Sequence, residues 1–334
     1  MIIKSVLFVE HPLVSVVIPS YNRANTVSQT IDSILNQKCN FEIEIVIGDD
    51  CSTDNARGVL LEYQNKYPQH IILLFHDKNI GLGANWASCV KMCRGKYLAN
   101  CDNDDYWHNE NKLQEQIDFL DNNPDVGMVH TNYRTLDRKT GEINEFIIHD
   151  TKYVESIIWA NFIGKFKCCN SSVVYKKLVI DENVNLDDYI KYQFTLQDWN
   201  TWINIANFTT FYCLPLSTTT VGVATESITR PKEYNILIQR FDSEKRMYKY
   251  LCDLFPHDLP FDEKGYDSYV FYSLLNLAYQ RKDFRRAKEL GKEINNKSLK
   301  VLCSQHRILF WIFVSLKRIK NNLINKAYHL KTIY

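Results

Sequence analysis

Short apolar runs alternate with amphipathic segments through the first half of the chain. The segment 24–37, for example, places Val27, Ile31 and Ile34 at helical spacing, between two runs rich in β-branched residues. The alternation predicts strands over 14–20, 41–50, 70–76, 96–101 and 126–133, and helices over 24–37, 55–67, 82–95 and 109–123. Gly95 is expected just past the end of the third helix. Such alternation predicts an α/β fold with a largely parallel sheet and helices on both faces.

The pattern becomes mixed after about residue 142. A helix-like segment at 152–163 precedes a predicted strand at 167–177 and an amphipathic helix at 197–208. Beyond about residue 230 the chain is helical and highly charged. Residues 274–294 resemble one helix pair of tetratricopeptide type, but such repeats normally stack in groups of three or more. We therefore predict one α/β domain over 1–225 and a helical region over 226–334.

Polar clusters follow three of the predicted strands. The sequences are "PSYNR" (19–23), "DDCSTD" (49–54) and "CDNDD" (101–105). In an open parallel sheet, ligands bind beyond the carboxyl ends of the strands. The three clusters are therefore expected to line one polar crevice.

The third cluster crowds Asp102, Asp104 and Asp105 together at a strand end. Like charges at this spacing repel, so the fold loses stability there unless something positive lies between them. Mg²⁺ or Mn²⁺ suits a pair of carboxylates whose remaining positions are filled by substrate phosphates. The alternative is a solvated acidic loop in which Asp105 or Asn109 caps the next helix without any metal.

The second cluster allows a similar pair of interpretations. Ser52, Thr53 and Asp54 are all suitable N-cap residues for the following helix. Capping leaves Asp49 and Asp50 unexplained, and a carboxylate at this place could accept a hydrogen bond from a nucleobase.

Composition removes several classes of function. A net charge of +1 over 334 residues argues against a nucleic-acid binder, which should be clearly basic. The ten cysteines show no paired metal-binding spacing, and Glu10, His11 and Pro12 interrupt the apolar start, so we expect reduced core thiols in a cytoplasmic protein without an export signal. The longest apolar run, 308–316, is about half of the roughly 20 residues that span a bilayer.

The ordered motifs resemble those of the family-two glycosyltransferases of the GT-A fold. The resemblance covers roughly residues 12–225 and rests on "VSVVIPSYNRANTVSQTIDSILNQ", "EIVIGDDCSTDNA", "KNIGLGANWASCVKMCRGKYLANCDNDDYWHNENKLQEQIDFL" and "LQDWNTWINIA". Enzymes of this family transfer a sugar from a nucleotide-activated donor with inversion. The resemblance implies a catalytic domain over 1–225, a UDP-sugar as the expected donor and a divalent metal, Mn²⁺ or Mg²⁺.

The resemblance also implies residues that bind the nucleotide. Pro19, Ser20 and Tyr21 would pass under the nucleoside, with Ser20 and Tyr21 near the base. Asp50, together with Asp49, would hold the base.

Metal binding and catalysis are implied for the later motifs. Asp102 and Asp104 match the family's D-x-D motif, so Asp104 would bind the metal that bridges the diphosphate, and Asp102 would lie near the ribose and the metal. Asp105 is a further candidate beside them. Asp198 in "LQDW" matches the acidic residue that acts as catalytic base. The alternative for Asp198 is an N-cap, because it stands at the start of an amphipathic helix.

Two departures from the family pattern bear on single residues. Gln197 stands where the family commonly has glutamate, so the neighbour of Asp198 is neutral. The helix after "NIGLGANW" also lacks an arginine often found there, which leaves phosphate contacts to Lys78 or another residue.

Two other functions share parts of this pattern. Nucleotidyltransferases that form sugar nucleotides have a similar sheet, but they usually show a glycine-rich loop after the first strand, and "PSYNRANT" has no glycine. A non-catalytic sugar-nucleotide-binding module would keep the fold without turnover. The joint presence of Asp102, Asp104 and Asp198 argues against it, and Gln197 keeps it open.

The C-terminal tail bears on where in the cell the protein acts. No acidic residue follows Glu293, and basic residues alternate with large apolar ones. The basic residues are Lys297, Lys300, Arg307, Lys317, Arg318, Lys320, Lys326 and Lys331. Such a tail either packs on the protein or docks on an anionic membrane. We expect peripheral docking on the inner face of the membrane, with a saccharide or lipid-linked saccharide as acceptor.

Overall fold

The computed structural model describes residues 1–3, 11–148, 152–153, 168–223, 233–255, 263–294, 304–305 and 307–308. Contacts divide the chain into two compact units, Met1–Thr225 and Glu226–Tyr334. Each unit is described by itself below.

One sheet organises the first unit. Its strands are β1 (Ile2–Ile3), β2 (Val14–Ser20), β3 (Ile43–Asp49), β4 (Ile71–Phe75), β5 (Tyr97–Asn100), β6 (Tyr106–Trp107), β7 (Val126–Asp137), β8 (Ile143–Phe146), β9 (Lys152–Tyr153), β10 (Val174–Lys176) and β11 (Thr210–Val223). Their order is β1-β4-β3-β2-β5-β10-β7-β11-β6, with β8 paired to β7 and β9 paired to β11.

The central strands run parallel, as the sequence predicts. β2 pairs in parallel with β3 and β5, and β3 pairs in parallel with β4. Every residue of β2 and β3 is buried, which explains why these segments are rich in Val and Ile; the buried polar residues Ser15 and Glu44 bind each other, and Glu44 also pairs with Arg94. The predicted α/β fold with a largely parallel central sheet is confirmed.

Helices flank this sheet. They are α1 (Val27–Leu35), α2 (Ala56–Lys66), α3 (Leu82–Met92), α4 (Lys112–Asn122), α5 (Lys177–Asn183), α6 (Leu186–Tyr192) and α7 (Gln197–Ala206). Most of these helices are shorter than predicted, because the capping turns lie inside the periodic segments.

The prediction for Gly95 is wrong. α3 ends at Met92, and Gly95 does not adopt the left-handed conformation of a C-terminal cap. A Cβ at Gly95 would come within 2.6 Å of the backbone nitrogen of Ser15 in β2. Glycine is needed there for close approach of two backbones.

The second half of the sheet contains a strand, β10, that runs in the opposite direction to its neighbours. β10 lies between β5 and β7 and is antiparallel to both. The strand predicted over 167–177 is shorter than expected, because Asn170–Ser172 form a 3₁₀ turn before it. Because β10 is antiparallel to β5, residues just before β10 lie at the same sheet edge as residues just after β5.

The second unit is helical over its described residues, as predicted. It contains α8 (Tyr234–Leu254), α9 (Glu263–Arg281) and α10 (Phe284–Glu293). α9 and α10 form a hairpin, in which Lys282 adopts a left-handed conformation and Asp283 caps α10 by accepting from the backbone of Arg286. Apolar side chains from all three helices form one core.

Several expectations fall outside these residues. Lys152 and Tyr153, the start of the helix-like segment 152–163, form the strand β9 instead, and the rest of that segment is not described. Most of the basic tail after residue 297 is not described either. Among the described residues, no helix is long and apolar enough to cross a membrane. The nine cysteines described are free thiols, and five of them are buried.

Candidate active site

The acidic motif forms a turn between β5 and β6, and Asp105 anchors it. The side chain of Asp105 is buried. Its Oδ1 accepts from the backbone N–H of Gly222 at 2.9 Å, and the Oγ of Ser171 donates to its Oδ2 at 2.6 Å. Burial, with the charges of Asp102 and Asp104, raises the pKa of Asp105 well above its usual value. Both oxygens of Asp105 are thus occupied in holding the turn.

Asp102 is held by the residues before β10 and is influenced by the charge of Asp198, far away in sequence. Its Oδ1 accepts from Nδ2 of Asn170 at 2.9 Å, and its backbone N–H donates to the Oγ of Ser171 at 2.9 Å. Burial raises the pKa of Asp102 to about 7, and the negative charges of Asp104 and then Asp198 add to this effect. The charges of Asp104 and Asp198 thus act against ionisation of Asp102, which is the kind of repulsion expected from the sequence for Asp102, Asp104 and Asp105.

Asp104 has a basic partner. Nε of Arg23 donates to Oδ2 of Asp104 at 3.2 Å, and both side chains are partly exposed. Arg138 donates to the backbone oxygen of Asp104 from the other side. A turn that carries three aspartates is thus flanked by two arginines.

Asp198 is the second residue of α7 and not its N-cap. The cap position is Leu196, which makes no side-chain capping bond. The carboxylate of Asp198 accepts from the backbone of Trp199 at 2.9 Å and lies close enough to Asp102 to raise its pKa. The simple capping explanation for Asp198 is therefore wrong, although an acidic residue in the first turn still suits the helix dipole.

The first strand-end cluster lies next to the acidic turn. Pro19 and Ser20 end the buried strand β2, and the Oγ of Ser20 accepts from Nδ2 of Asn103 at 3.0 Å. The side chain of Tyr21 is exposed, which leaves its ring available for contact. The structure thus brings "PSYNR" and "CDNDD" together.

The second cluster separates the roles of its two leading aspartates. Oδ1 and Oδ2 of Asp50 accept from the backbone N–H groups of Ile80 and Gly81 at 2.7 and 2.9 Å. Oδ2 of Asp49 binds Nε of Arg57 at 2.6 Å, whereas its buried Oδ1 has no partner among the described residues. Asp50 therefore fixes the loop at residues 80–81, and Asp49 keeps one oxygen for a further donor. Burial raises the pKa of Asp50, against the opposing effect of those two N–H groups.

The rest of this cluster does not cap α2 as predicted. The N-cap is Asn55. Ser52 and Thr53 instead hold Asn22: the N–H of Asn22 donates to Ser52 Oγ at 2.9 Å, and its Oδ1 accepts from the N–H of Thr53 at 2.8 Å. Only Asp54 reaches the start of α2, where it accepts from the N–H of Ala56 at 3.0 Å.

Asn170 and Ser171 are site residues that sequence reasoning missed. They precede β10 and hold Asp102 and Asp105. Asn100 fixes Asn170 in turn, since its Nδ2 donates to Asn170 Oδ1 at 2.8 Å. The signal was a short polar stretch, "NSS", beside an apolar run. It becomes informative only when the antiparallel direction of β10 is known.

The residues present fit a divalent cation completed by phosphate oxygens. Asp102 and Asp104 supply hard oxygen ligands, and their repulsion has no full compensation within the described turn. Among the described residues, no three His, Cys, Asp or Glu side chains are grouped as a complete metal cage. A site of this kind needs ligands from the substrate.

One protein family and several individual proteins resemble this chain in sequence. Residues 15–179 match the family described as Glycosyl transferase family 2. TuaG of Bacillus subtilis, named as a candidate teichuronic acid biosynthesis glycosyltransferase, is 36% identical over 109 residues, which cover 33% of this chain and 42% of TuaG. The chain spans about half the length of the curated relatives it matches, 46% of uncharacterized mycobacterial proteins that are 31% identical.

Two solved structures resemble this chain in fold. Staphylococcus aureus TarS 1–349, solved with UDP, superposes with a TM-score of 0.51 at 15% identity and covers 92% of this chain and 91% of that one. The mannosyltransferase PcManGT of Pyrobaculum calidifontis, solved with GDP-Man and Mn²⁺, gives a TM-score of 0.50 at 15% identity, with coverages of 92% and 87%.

The sheet has the GT-A type of fold, like that of TarS. More narrowly, residues 15–179 form a family 2 glycosyltransferase domain. The family predicted from the sequence motifs is confirmed.

Proposed function

We propose that the protein transfers a sugar from a nucleoside-diphosphate sugar to an acceptor hydroxyl with inversion, in the synthesis of a surface polysaccharide or glycoconjugate. The observation that carries the proposal is that Asp198 is close enough for its charge to raise the pKa of Asp102. The sequence separates these residues widely, and the fold joins the implied catalytic base to the implied metal-binding motif.

The reaction is a single displacement. The acceptor oxygen forms a bond to the anomeric carbon while the bond to the leaving diphosphate breaks, and the hydroxyl proton passes to the carboxylate of Asp198. General-base assistance of this type contributes roughly 10²–10⁴-fold. No covalent enzyme intermediate is required.

Asp102 and Asp104 would hold Mn²⁺ or Mg²⁺ with the donor's diphosphate. When bound, such an ion stabilises the charge that develops on the leaving group. Asn170 and Ser171 orient Asp102, and Asp105 fixes the turn between them. The chain thereby holds its two metal-binding carboxylates in place before the donor arrives.

The nucleoside would lie over the first two clusters. Oδ1 of Asp49 is a buried acceptor without a described partner, which suits a ring N–H of a uracil or guanine base. Tyr21 would stack near it, with Pro19 and Ser20 beneath. Asp50 would act through the loop that it fixes. UDP in TarS and GDP-Man in PcManGT support a nucleotide donor of this class.

The proposal also includes the acceptor and the location of the enzyme in the cell. TuaG resembles this domain in sequence, and TarS resembles it in fold. The name of TuaG refers to the synthesis of teichuronic acid, which supports a saccharide or lipid-linked saccharide as acceptor. The basic, apolar tail from about residue 297 would dock the enzyme peripherally on the inner membrane surface from the cytoplasm.

The test combines a donor panel with two variants of the full chain. The protein is incubated with UDP-, GDP- and dTDP-sugars and Mn²⁺, and release of the nucleoside diphosphate is measured with and without acceptor saccharides. Asp198→Asn should lower turnover by about 10²-fold or more and leave nucleotide affinity nearly unchanged. Asp104→Asn should lose most Mn²⁺-dependent activity.

Asp181→Asn is the matched control. Asp181 lies on α5 in an exposed ion pair with Lys177, away from the acidic turn, so its activity should equal that of the wild type. Wild-type activity that persists in excess chelator would reject the metal role, and normal turnover of Asp198→Asn would reject the base. Binding of sugar nucleotides without turnover would indicate a binding module, and pyrophosphate exchange a nucleotidyltransferase.

A further inference from the structure

Arg23 occupies the acidic motif in this structure. Its Nε donates to Oδ2 of Asp104 at 3.2 Å, and its Nη1 donates to the backbone oxygen of Asn22 at 3.2 Å. Among the described residues, Arg23 is the basic side chain that is ion-paired with the D-x-D carboxylates. Its side chain is 35% exposed, so part of the guanidinium faces solvent.

The backbone that carries Arg23 is clamped. Asn22 adopts a left-handed conformation, with φ of 51°, and is held through both its N–H and its side chain by the loop at residues 52–53. On the other side, the N–H of Ala24 donates to Oδ2 of Asp54 at 2.9 Å. Any change of partner by Arg23 therefore takes place through its side chain while the loop stays where it is.

Asp104 cannot serve Arg23 and a metal ion equally well. A divalent cation that binds Oδ2 of Asp104 competes with Nε of Arg23 for the charge of that oxygen, and two cations held by one carboxylate repel each other. The metal that the site fits is completed by a diphosphate, so anionic oxygens arrive next to the displaced guanidinium. The planar fork of arginine matches phosphate oxygens in a bidentate manner.

We propose that Arg23 exchanges the carboxylate of Asp104 for the diphosphate of the donor when the metal–nucleotide complex binds. The inference rests on the proposed function, because it takes the metal and the diphosphate from it. In the empty site Arg23 is the counter-ion of Asp104. In the loaded site it is a diphosphate ligand, a role that the sequence left to Lys78 or another residue.

The exchange predicts effects of opposite sign on two affinities. In Arg23→Ala, Mn²⁺ alone should bind more tightly, by up to about 5-fold, since a partly exposed ion pair no longer competes. UDP or GDP should bind Mn²⁺-saturated protein about 10- to 100-fold more weakly, since a charge-assisted hydrogen bond to phosphate is lost. Arg23→Lys, which keeps the charge without the fork, should lie between the wild type and Arg23→Ala.

The measurements use the full chain. Free Mn²⁺ is followed by electron paramagnetic resonance without nucleotide, and UDP and GDP are titrated calorimetrically at saturating Mn²⁺. Lys38→Ala controls for a general change in net charge, because Lys38 pairs with Glu110 at 2.6 Å on the surface and not with the acidic turn. Both of its affinities should equal those of the wild type.

The outcomes separate this inference from the function on which it rests. If Arg23→Ala weakens both affinities, Arg23 is structural, and the inference is overturned. Tighter Mn²⁺ binding with unchanged nucleotide affinity would also overturn it, because no exchange takes place. In either case a wild type that binds Mn²⁺ and nucleotide leaves the proposed function standing. A wild type that binds neither UDP nor GDP with Mn²⁺ would overturn both.

Discussion

Replacing Ser171 by alanine tests whether one hydroxyl holds the acidic turn together. The Oγ of Ser171 is fully buried, accepts from the backbone N–H of Asp102 at 2.9 Å and donates to Oδ2 of Asp105 at 2.6 Å. Ser171→Ala removes both bonds without changing the shape of the site. The substitution removes a bond to each of two aspartates, at a residue for which no contact with the substrate is proposed.

The magnitude follows from these two contacts. The bond from Ser171 to the carboxyl of Asp105 contributes about 0.5–1.5 kcal/mol, as a typical intramolecular hydrogen bond does. The buried N–H of Asp102 is left without an acceptor, at about 1–3 kcal/mol. We expect a loss of about 3 kcal/mol in the free energy of unfolding. For a unit of this size, this loss lowers the melting temperature by about 6–12 °C.

The functional effect should accompany the loss of stability. Asp102 loses one of its two holds on the 3₁₀ turn before β10, and loss of an outer-shell partner typically weakens metal binding by about 10–100-fold. Urea unfolding gives the stability, and Mn²⁺ titration of the folded protein, well below its unfolding temperature, gives the affinity.

Ser172→Ala is the matched control. Ser172 is equally buried and adjacent in sequence, but its Oγ donates to the backbone oxygen of Cys169, at 2.8 Å, and not to an aspartate of the acidic turn. Its replacement should cost about 1 kcal/mol and leave Mn²⁺ affinity unchanged. If the two variants lose equal stability, or if Ser171→Ala binds Mn²⁺ as the wild type does, the reasoning is refuted.

Two further predictions concern charge. Burial lowers the pKa of Lys112 to about 7 from 10.5, so its cost to stability is complete below pH 7 and disappears as the pH rises toward 10.5. Urea unfolding should show that the advantage of Lys112→Met over the wild type shrinks by about 2–3 kcal/mol between pH 6 and pH 9, and an advantage independent of pH would contradict the assigned shift. For the tail, the full chain should sediment with anionic vesicles at low salt, but not with neutral ones or at high salt. A version ending near Asn296 should stay in solution, and equal behaviour of the two proteins would contradict membrane docking.

Sequence patterns predicted the first half of the fold well because its signals are local. β2 and β3 are buried on both faces, so their clusters of Val and Ile mark strands directly, and the polar residues after them mark the sheet edge. The same reasoning brought Asp102 and Asp104 to that edge. It located strands and clusters without needing any long-range pairing.

The remainder depended on information that no local pattern contains. "NSS" before β10 belongs to the site only because β10 runs antiparallel to β5, and direction is a property of the pairing. Ser52 and Thr53 have the composition of helix caps, yet they bind Asn22 on another loop. Polar side chains that can satisfy either partner are assigned by the tertiary structure, and not by propensity.

The supports of the acidic turn also set the order in which the protein becomes competent during synthesis. Asp102 waits 69 residues for Ser171, and Asp105 waits 117 residues for Gly222. At ribosomal rates of roughly 5–20 residues per second, the second interval lasts about 6–23 seconds. β2, β3, β4 and β5 all lie within the first hundred residues, so their parallel pairing can form early, whereas the aspartates remain unsupported. A nascent chain therefore presents these central strands well before the supports of the acidic turn exist, and the proposed metal site would be completed in the last steps of folding of the first 223 residues.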